Sequence, residues 1–175
     1  MLEEILKSGM IAVILFLQPM PINDVAPSPA PQTVPVSKLE QVVNQQSQQQ
    51  RYRILIKKSE CKLYLLENKS VVKAYDVGIG NKLHPTPAGK FEISSKIKNP
   101  AWISKHETVP YGNSRNPLAA YWFGLKDGNG VGIHGTYEKD SIGRRMSHGC
   151  VRMKPRDVIE LSNYAKIGAI VEIKE

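Results

Sequence analysis

The stretch from Gly132 to Met153, G-I-H-G-T-Y-E-K-D-S-I-G-R-R-M-S-H-G-C-V-R-M, gathers His134, His148 and Cys150, two of the chain's four histidines and one of its two cysteines. A cysteine is a useful nucleophile only as thiolate, and an imidazole within hydrogen-bond reach can take its proton. Two histidines qualify. His148 lies two residues from Cys150, on its side of an extended chain, whereas His134 lies 16 residues upstream and can be returned to Cys150 by the polar loop 135–147. Arg144, Arg145, Arg152 and Lys154 stand close to Cys150 in sequence, and each nearby cation favours thiolate over thiol. Gly149 lets the backbone approach a substrate, so N–H groups here can meet the oxyanion of a tetrahedral intermediate. Arg152 points the same way, and its guanidinium can hold a substrate carboxylate in a two-bonded fork.

The same residues admit blander roles. A lone cysteine is usually a small buried hydrophobe, and a histidine at a strand end is often a surface residue. Two histidines and Cys150, with Cys61 or a carboxylate as fourth ligand, could hold zinc, although H-x13-H-x-C lacks the paired short spacings of structural zinc sites. Spacing alone makes cysteine catalysis the leading reading and leaves the base undecided between His134 and His148.

The elements that must position these residues are mostly strands. From Arg51 onward Ile54 and Ile56, then Cys61, Leu63 and Leu65, alternate with polar positions, and Glu67-Asn68-Lys69 turns the chain into Val71–Ile79, so the region opens as a β-meander. Cys61 therefore reads as a small core residue on a strand face. Further strands are expected at Lys90–Ser95, Tyr121–Leu125, Gly130–His134 and Ala169–Ile173. Short strands separated by Gly, Pro and Asn predict a mostly β, antiparallel sandwich or barrel-like fold. One helix precedes the last strand: Pro155 suits its first turn, Val158, Leu161 and Ala165 share a face, and Gly168 stops it.

The chain of 175 residues, 41% hydrophobic and 23% charged, suits one domain with appendages and excludes a largely disordered, collagen-like or polytopic membrane protein. Residues 1–50 carry Lys7 and Lys38 against Glu3, Glu4, Asp24 and Glu40, so the net charge of +8 is concentrated in 51–175. That balance suits an anionic partner. Two cysteines allow one disulfide at most. Residues 1–18 contain the apolar run Met10–Leu17, far short of the roughly 20 residues that span a bilayer, and read as a signal-like or membrane-anchor segment. Residues 19–50 hold six of the chain's twelve prolines followed by a glutamine-rich stretch, the composition of a linker. The domain is expected to occupy 51–175.

The motifs I-H-G-T (Ile133–Thr136) and S-I-G-x-x-x-S-H-G-C-V-R-M (Ser141–Met153), with the step from His134 to Cys150, closely resemble the signature of the L,D-transpeptidase (YkuD) family. Upstream, L-Y-L-L-E-N-K (Leu63–Lys69), P-T-P-A-G-K-F (Pro85–Phe91), N-P-A-W (Asn99–Trp102) and N-P-L-A-A-Y-W-F-G-L (Asn116–Leu125) resemble the blocks that precede it, in the same order. The resemblance covers most of 51–175. It implies a mostly β enzyme of the bacterial envelope acting on peptidoglycan stem peptides. A cysteine attacks the carbonyl of the third stem residue, usually the L-centre of meso-diaminopimelate, expels D-alanine, and passes the acyl group to an amine of a second stem. Carried over, Cys150 is the nucleophile, His134 the base, and the Gly135 carbonyl the group that orients the imidazole. Ser147, His148, Gly149 and Arg152 shape the oxyanion and substrate pocket. No metal or organic cofactor and no nucleic acid are expected, carbapenems are expected to label Cys150, and the protein is expected to be a monomer facing the wall. The rivals are an L,D-carboxypeptidase, with water as acceptor, and a non-catalytic wall-binding module of the same fold.

Overall fold

Alternating burial builds the first strands. In β1 (Tyr52–Lys57) Ile54 and Ile56 are buried, and in β2 (Lys62–Glu67) Leu63 and Leu65 are. Asn68, at φ +57°, turns β2 into β3 (Ser70–Asp76), completing the expected meander. The structure is a computed structural model and describes residues 51–175; the readings of 1–18 as a leader or anchor and of 19–50 as a linker fall outside the described residues.

The remaining strands are β4 (Ile79–Gly80), β5 (Gly89–Lys98), β6 (Trp102–Ile103), β7 (Thr108–Val109), β8 (Ala119–Leu125), β9 (Gly132–Gly135), β10 (Arg145–Ser147), β11 (Val151–Met153) and β12 (Ile170–Lys174). Of the twelve strands among the described residues, eight form one sheet in the order β11-β9-β8-β5-β12-β1-β2-β3, and β10-β4 and β6-β7 make two small ribbons. Among the described residues the fold is mostly β with one α-helix before the last strand, as the spacing predicts. Strand direction is the difference. The pairs β1–β12, β9–β11 and β4–β10 run parallel. Parallel neighbours need a crossover, and the loop 136–150 supplies one between β9 and β11.

The helix α1 (Pro155–Leu161) packs Val158 and Leu161 into the core, with Pro155 in its first turn where a missing N–H costs nothing. It ends before Ala165, earlier than its apolar spacing suggests. The Ser162 hydroxyl donates to the Ile159 carbonyl at 2.6 Å, a local bond that competes with helix continuation. Ala165 is still buried, in the turns that follow, and the Gly168 N–H donates to the Ile93 carbonyl of β5.

Cys61 also departs from expectation. It occupies the β1–β2 turn at φ +49°, rather than a strand, and its sulfur approaches the Lys58 carbonyl at 3.7 Å while packing against the edge of the core. Both cysteines are free thiols.

Candidate active site

Register across β8, β9 and β11 sorts side chains into two rows. Phe123, Ile133 and Val151 are fully buried in the core. One residue along each strand, Trp122 pairs with His134 and His134 with Arg152, so this second row faces the other side of the sheet. There it lines a cavity of about 630 Å³ together with Cys150, which immediately precedes β11. Pro100, Trp102 and Ile103 at the β6 ribbon, with Pro117 and Leu118, form the apolar wall opposite. Asn116 fastens that wall: its Nδ2 donates to the carbonyls of Pro100 (3.0 Å) and Val109 (3.2 Å), and its Oδ1 accepts from the Leu118 N–H at 2.8 Å.

Gly132 makes room within the row. A Cβ there would lie 2.6 Å from the Trp122 ring and 2.7 Å from the Phe123 carbonyl oxygen, so only glycine lets the indole lie across β9. The indole in turn stacks on His134, with centroids 5.8 Å apart and planes 25° from parallel.

His134 is 5% exposed, and its Nδ1–H donates to the Gly135 carbonyl at 2.8 Å. That bond fixes the tautomer and leaves Nε2 as a lone-pair acceptor. Burial lowers the imidazole pKa to about 4; the Gly135 carbonyl and Glu138 oppose the shift and the Arg152 charge reinforces it. The ring is therefore neutral at neutral pH. Burial likewise raises the Cys150 thiol above the ordinary cysteine range, against smaller contributions from the Gly132 N–H and Arg152 that favour thiolate. At Cys150 burial thus outweighs the push toward thiolate expected from four nearby cations. Of those four only Arg152 lines the cavity. Arg145 instead reaches the Lys58 carbonyl at 3.1 Å and Glu175 at 3.6 Å, and Lys154 occupies the N-cap position of α1 without a side-chain bond to the helix.

The turn bearing Cys150 is held from within and from outside. Inside it, the Ser147 hydroxyl donates to the Cys150 carbonyl at 2.6 Å and accepts the Gly149 N–H at 3.2 Å. Gly149 sits at φ +114°, a conformation that side-chain-bearing residues rarely adopt. From outside, the buried Thr86 hydroxyl donates to the Gly149 carbonyl at 2.8 Å. Arg152 pairs with Glu138 at 2.7 Å, so its guanidinium already has one carboxylate partner. His148 is exposed; its ring meets that of His84 with centroids 4.9 Å apart, between the cavity and a shallower groove of about 330 Å³ that also borders Asp127 and Asn129.

The cavity thus brings together Cys150, His134, Ser147, His148 and Arg152, with Gly135 and Gly149 acting through their backbones. Cys61, the alternative fourth zinc ligand, lies in the β1–β2 turn, and among the described residues no three of His, Cys, Asp and Glu gather as metal ligands. Trp122, Thr86 and Asn116 complete the site although their types and spacing gave no chemical signal. A neutral acceptor nitrogen, a thiol and a cation on one apolar cavity suit acyl transfer through sulfur.

A family model described as L,D-transpeptidase catalytic domain (YkuD) matches residues 51–173. YkuD of Bacillus licheniformis is 36% identical over 122 residues, which span 70% of this chain and 65% of that protein. YqjB of Bacillus subtilis is 34% identical over 128 residues, 71% of each chain. Both are named as L,D-transpeptidases. The fold is shared with an L,D-transpeptidase from Mycobacterium smegmatis at TM-score 0.60 and 17% identity, covering 71% of this chain and 59% of that one. LdtMt1, solved in complex with imipenem, matches with TM-score 0.60 and 23% identity over 71% of this chain and 59% of its own. On the extent of the family match and the identity to these relatives, this chain belongs to the L,D-transpeptidase catalytic domain (YkuD) family.

Proposed function

We propose that the protein cross-links peptidoglycan stem peptides through a Cys150 acyl-enzyme. The observation that carries this reading is His134, buried, neutral and fixed by the Gly135 carbonyl, on the same cavity as Cys150. Nε2 of His134 takes the Cys150 proton as sulfur attacks the carbonyl of the third stem residue. The tetrahedral intermediate collapses to a thioester when the C–N bond to D-alanine breaks, and His134 returns the proton to the leaving amine. An amine of a second stem then attacks the thioester, loses its proton to His134, and releases Cys150 as thiol. Ser147, His148 and Gly149 shape the turn and cavity mouth around these steps, and Arg152 supplies positive charge for a stem carboxylate. The excess of basic residues in 51–175 and the apolar run Met10–Leu17 support a place at the cell envelope, facing the wall.

The test is mass spectrometry of purified stem tetrapeptides incubated with the protein. A cross-linked dimer with loss of D-alanine is expected; tripeptide alone would mean water is the acceptor, and unchanged tetrapeptide would mean a binding module. His134→Ala is expected to lower acylation by about 10²–10⁴-fold, the usual worth of general-base assistance, and His148→Ala by much less. The reverse ranking would make His148 the base.

A further inference from the structure

Thr86 lies in the loop between β4 and β5, remote in sequence from the catalytic stretch, and is 1% exposed. Its hydroxyl has one proton and two bonds. The Gly80 N–H donates to the oxygen at 2.8 Å, so the hydroxyl's own proton must go to its second neighbour, the Gly149 carbonyl, also at 2.8 Å. The loop is itself anchored: the buried Lys58 ammonium donates to the Thr86 carbonyl at 3.2 Å and pairs with Glu175 at 2.6 Å.

The Gly149 carbonyl belongs to the peptide unit whose N–H is that of Cys150. All peptide bonds among the described residues are trans, so this carbonyl and this N–H point in opposite directions within one rigid plane. Thr86 holds the carbonyl, and Cys150 lines the cavity. The neighbouring Gly149 N–H is engaged by Ser147, so the Cys150 N–H is the donor of this turn best placed for an oxyanion. Glycine at φ +114° has open rotation on its own account, and a plane beside it stays fixed only if something grips it.

We propose that Thr86 is a positioning residue for acyl transfer, its hydroxyl locking the Gly149–Cys150 peptide plane so that the Cys150 N–H is aimed at the developing oxyanion. This rests on the acyl-transfer reading above. It separates two reactivities of one sulfur. Attack on a carbonyl builds an oxyanion that needs the donor, whereas displacement of iodide from iodoacetamide builds none there.

The experiment compares wild type, Thr86→Ser and Thr86→Val for the rates of acylation by imipenem and of alkylation by iodoacetamide, in the full chain. Valine keeps the shape and removes the hydroxyl; serine keeps the hydroxyl. Thr86→Val is expected to lose about 10- to 100-fold in acylation, somewhat less than deleting an oxyanion donor outright, with alkylation within about twofold of wild type. Thr86→Ser is expected to restore acylation to within a few-fold. Thr86→Ala gives the same ratio of rates should valine fail to fold. Equal acylation in wild type and the hydroxyl-free variants overturns the proposal, as does a parallel loss of both rates, which would mean that the whole turn has collapsed. Wild type that alkylates at Cys150 but neither acylates with imipenem nor consumes tetrapeptide overturns the acyl-transfer reading itself, and this role with it.

Discussion

Lowering the pH from 7 to 4 probes the environment of His134 directly. The imidazole of an unfolded chain titrates near 6.5 and that of the folded protein near 4, because burial disfavours its charged form. As pH falls through about 6.5 the unfolded state takes a proton that the folded state still refuses. Stability is therefore full above about 6.5, erodes between there and about 4, and changes no further below, the total being about 3 kcal/mol from this one group. Catalysis should follow the folded value. At pH 5 about 90% of a group titrating at 4 is neutral and able to accept a proton, against about 3% of an ordinary histidine. The acid limb of imipenem acylation is thus expected near pH 4, and the stability loss is read from urea melts of wild type against His134→Asn, which cannot titrate there. An acid limb near 6.5, or melts of both proteins that respond to pH identically, would refute the claim that burial dominates at His134.

Arg152→Gln removes the guanidinium that lines the cavity, which is expected to raise the His134 pKa and to raise that of Cys150 further, as followed by alkylation rate against pH. Gly132→Ala forces the Trp122 ring off β9, at a cost of about 1–3 kcal/mol, with a loss of acylation larger than the loss of folded protein explains; thermal melts and acylation rates together check this. Cys61→Ala is expected to cost about 1 kcal/mol in a urea melt and to leave acylation unchanged, since Cys61 lies in the β1–β2 turn rather than on the cavity. Phe123→Ala, at the β8 end of the buried row and fully buried, is expected to cost about 3–5 kcal/mol in the same melt.

The candidate site was partly legible because rare residue types carry it. Cys150 stood out by type and spacing with two candidate bases, His134 and His148, between which only the family resemblance chose; period-two alternation located most strands because burial on one face imposes that period. What alternation cannot encode is direction, so the parallel placement of β11 beside β9 was hidden, and with it the row Trp122–His134–Arg152. Trp122 looked like one more apolar strand residue, and Thr86 like one more turn threonine. Counting cations by closeness along the chain misled for the same reason. Arg145 and Lys154 are neighbours of Cys150 in sequence, but the turns on either side send them to Glu175 and to the helix N-terminus.

The place of β12 has a consequence for how the molecule comes into being. Among the described residues the last strand, β12, lies between β5 and β1 and alone connects the half-sheet β1-β2-β3 to the half that carries the cavity. Ile54 pairs with Val171, so residues from the two ends of the domain must meet before the sheet is whole. Closing so long a loop is slow, and few contacts reward it until the strand has docked. The two halves of the sheet therefore stay unjoined until β12 has docked between them. The barrier to folding falls late along the domain, at the docking of β12, rather than within either half of the sheet.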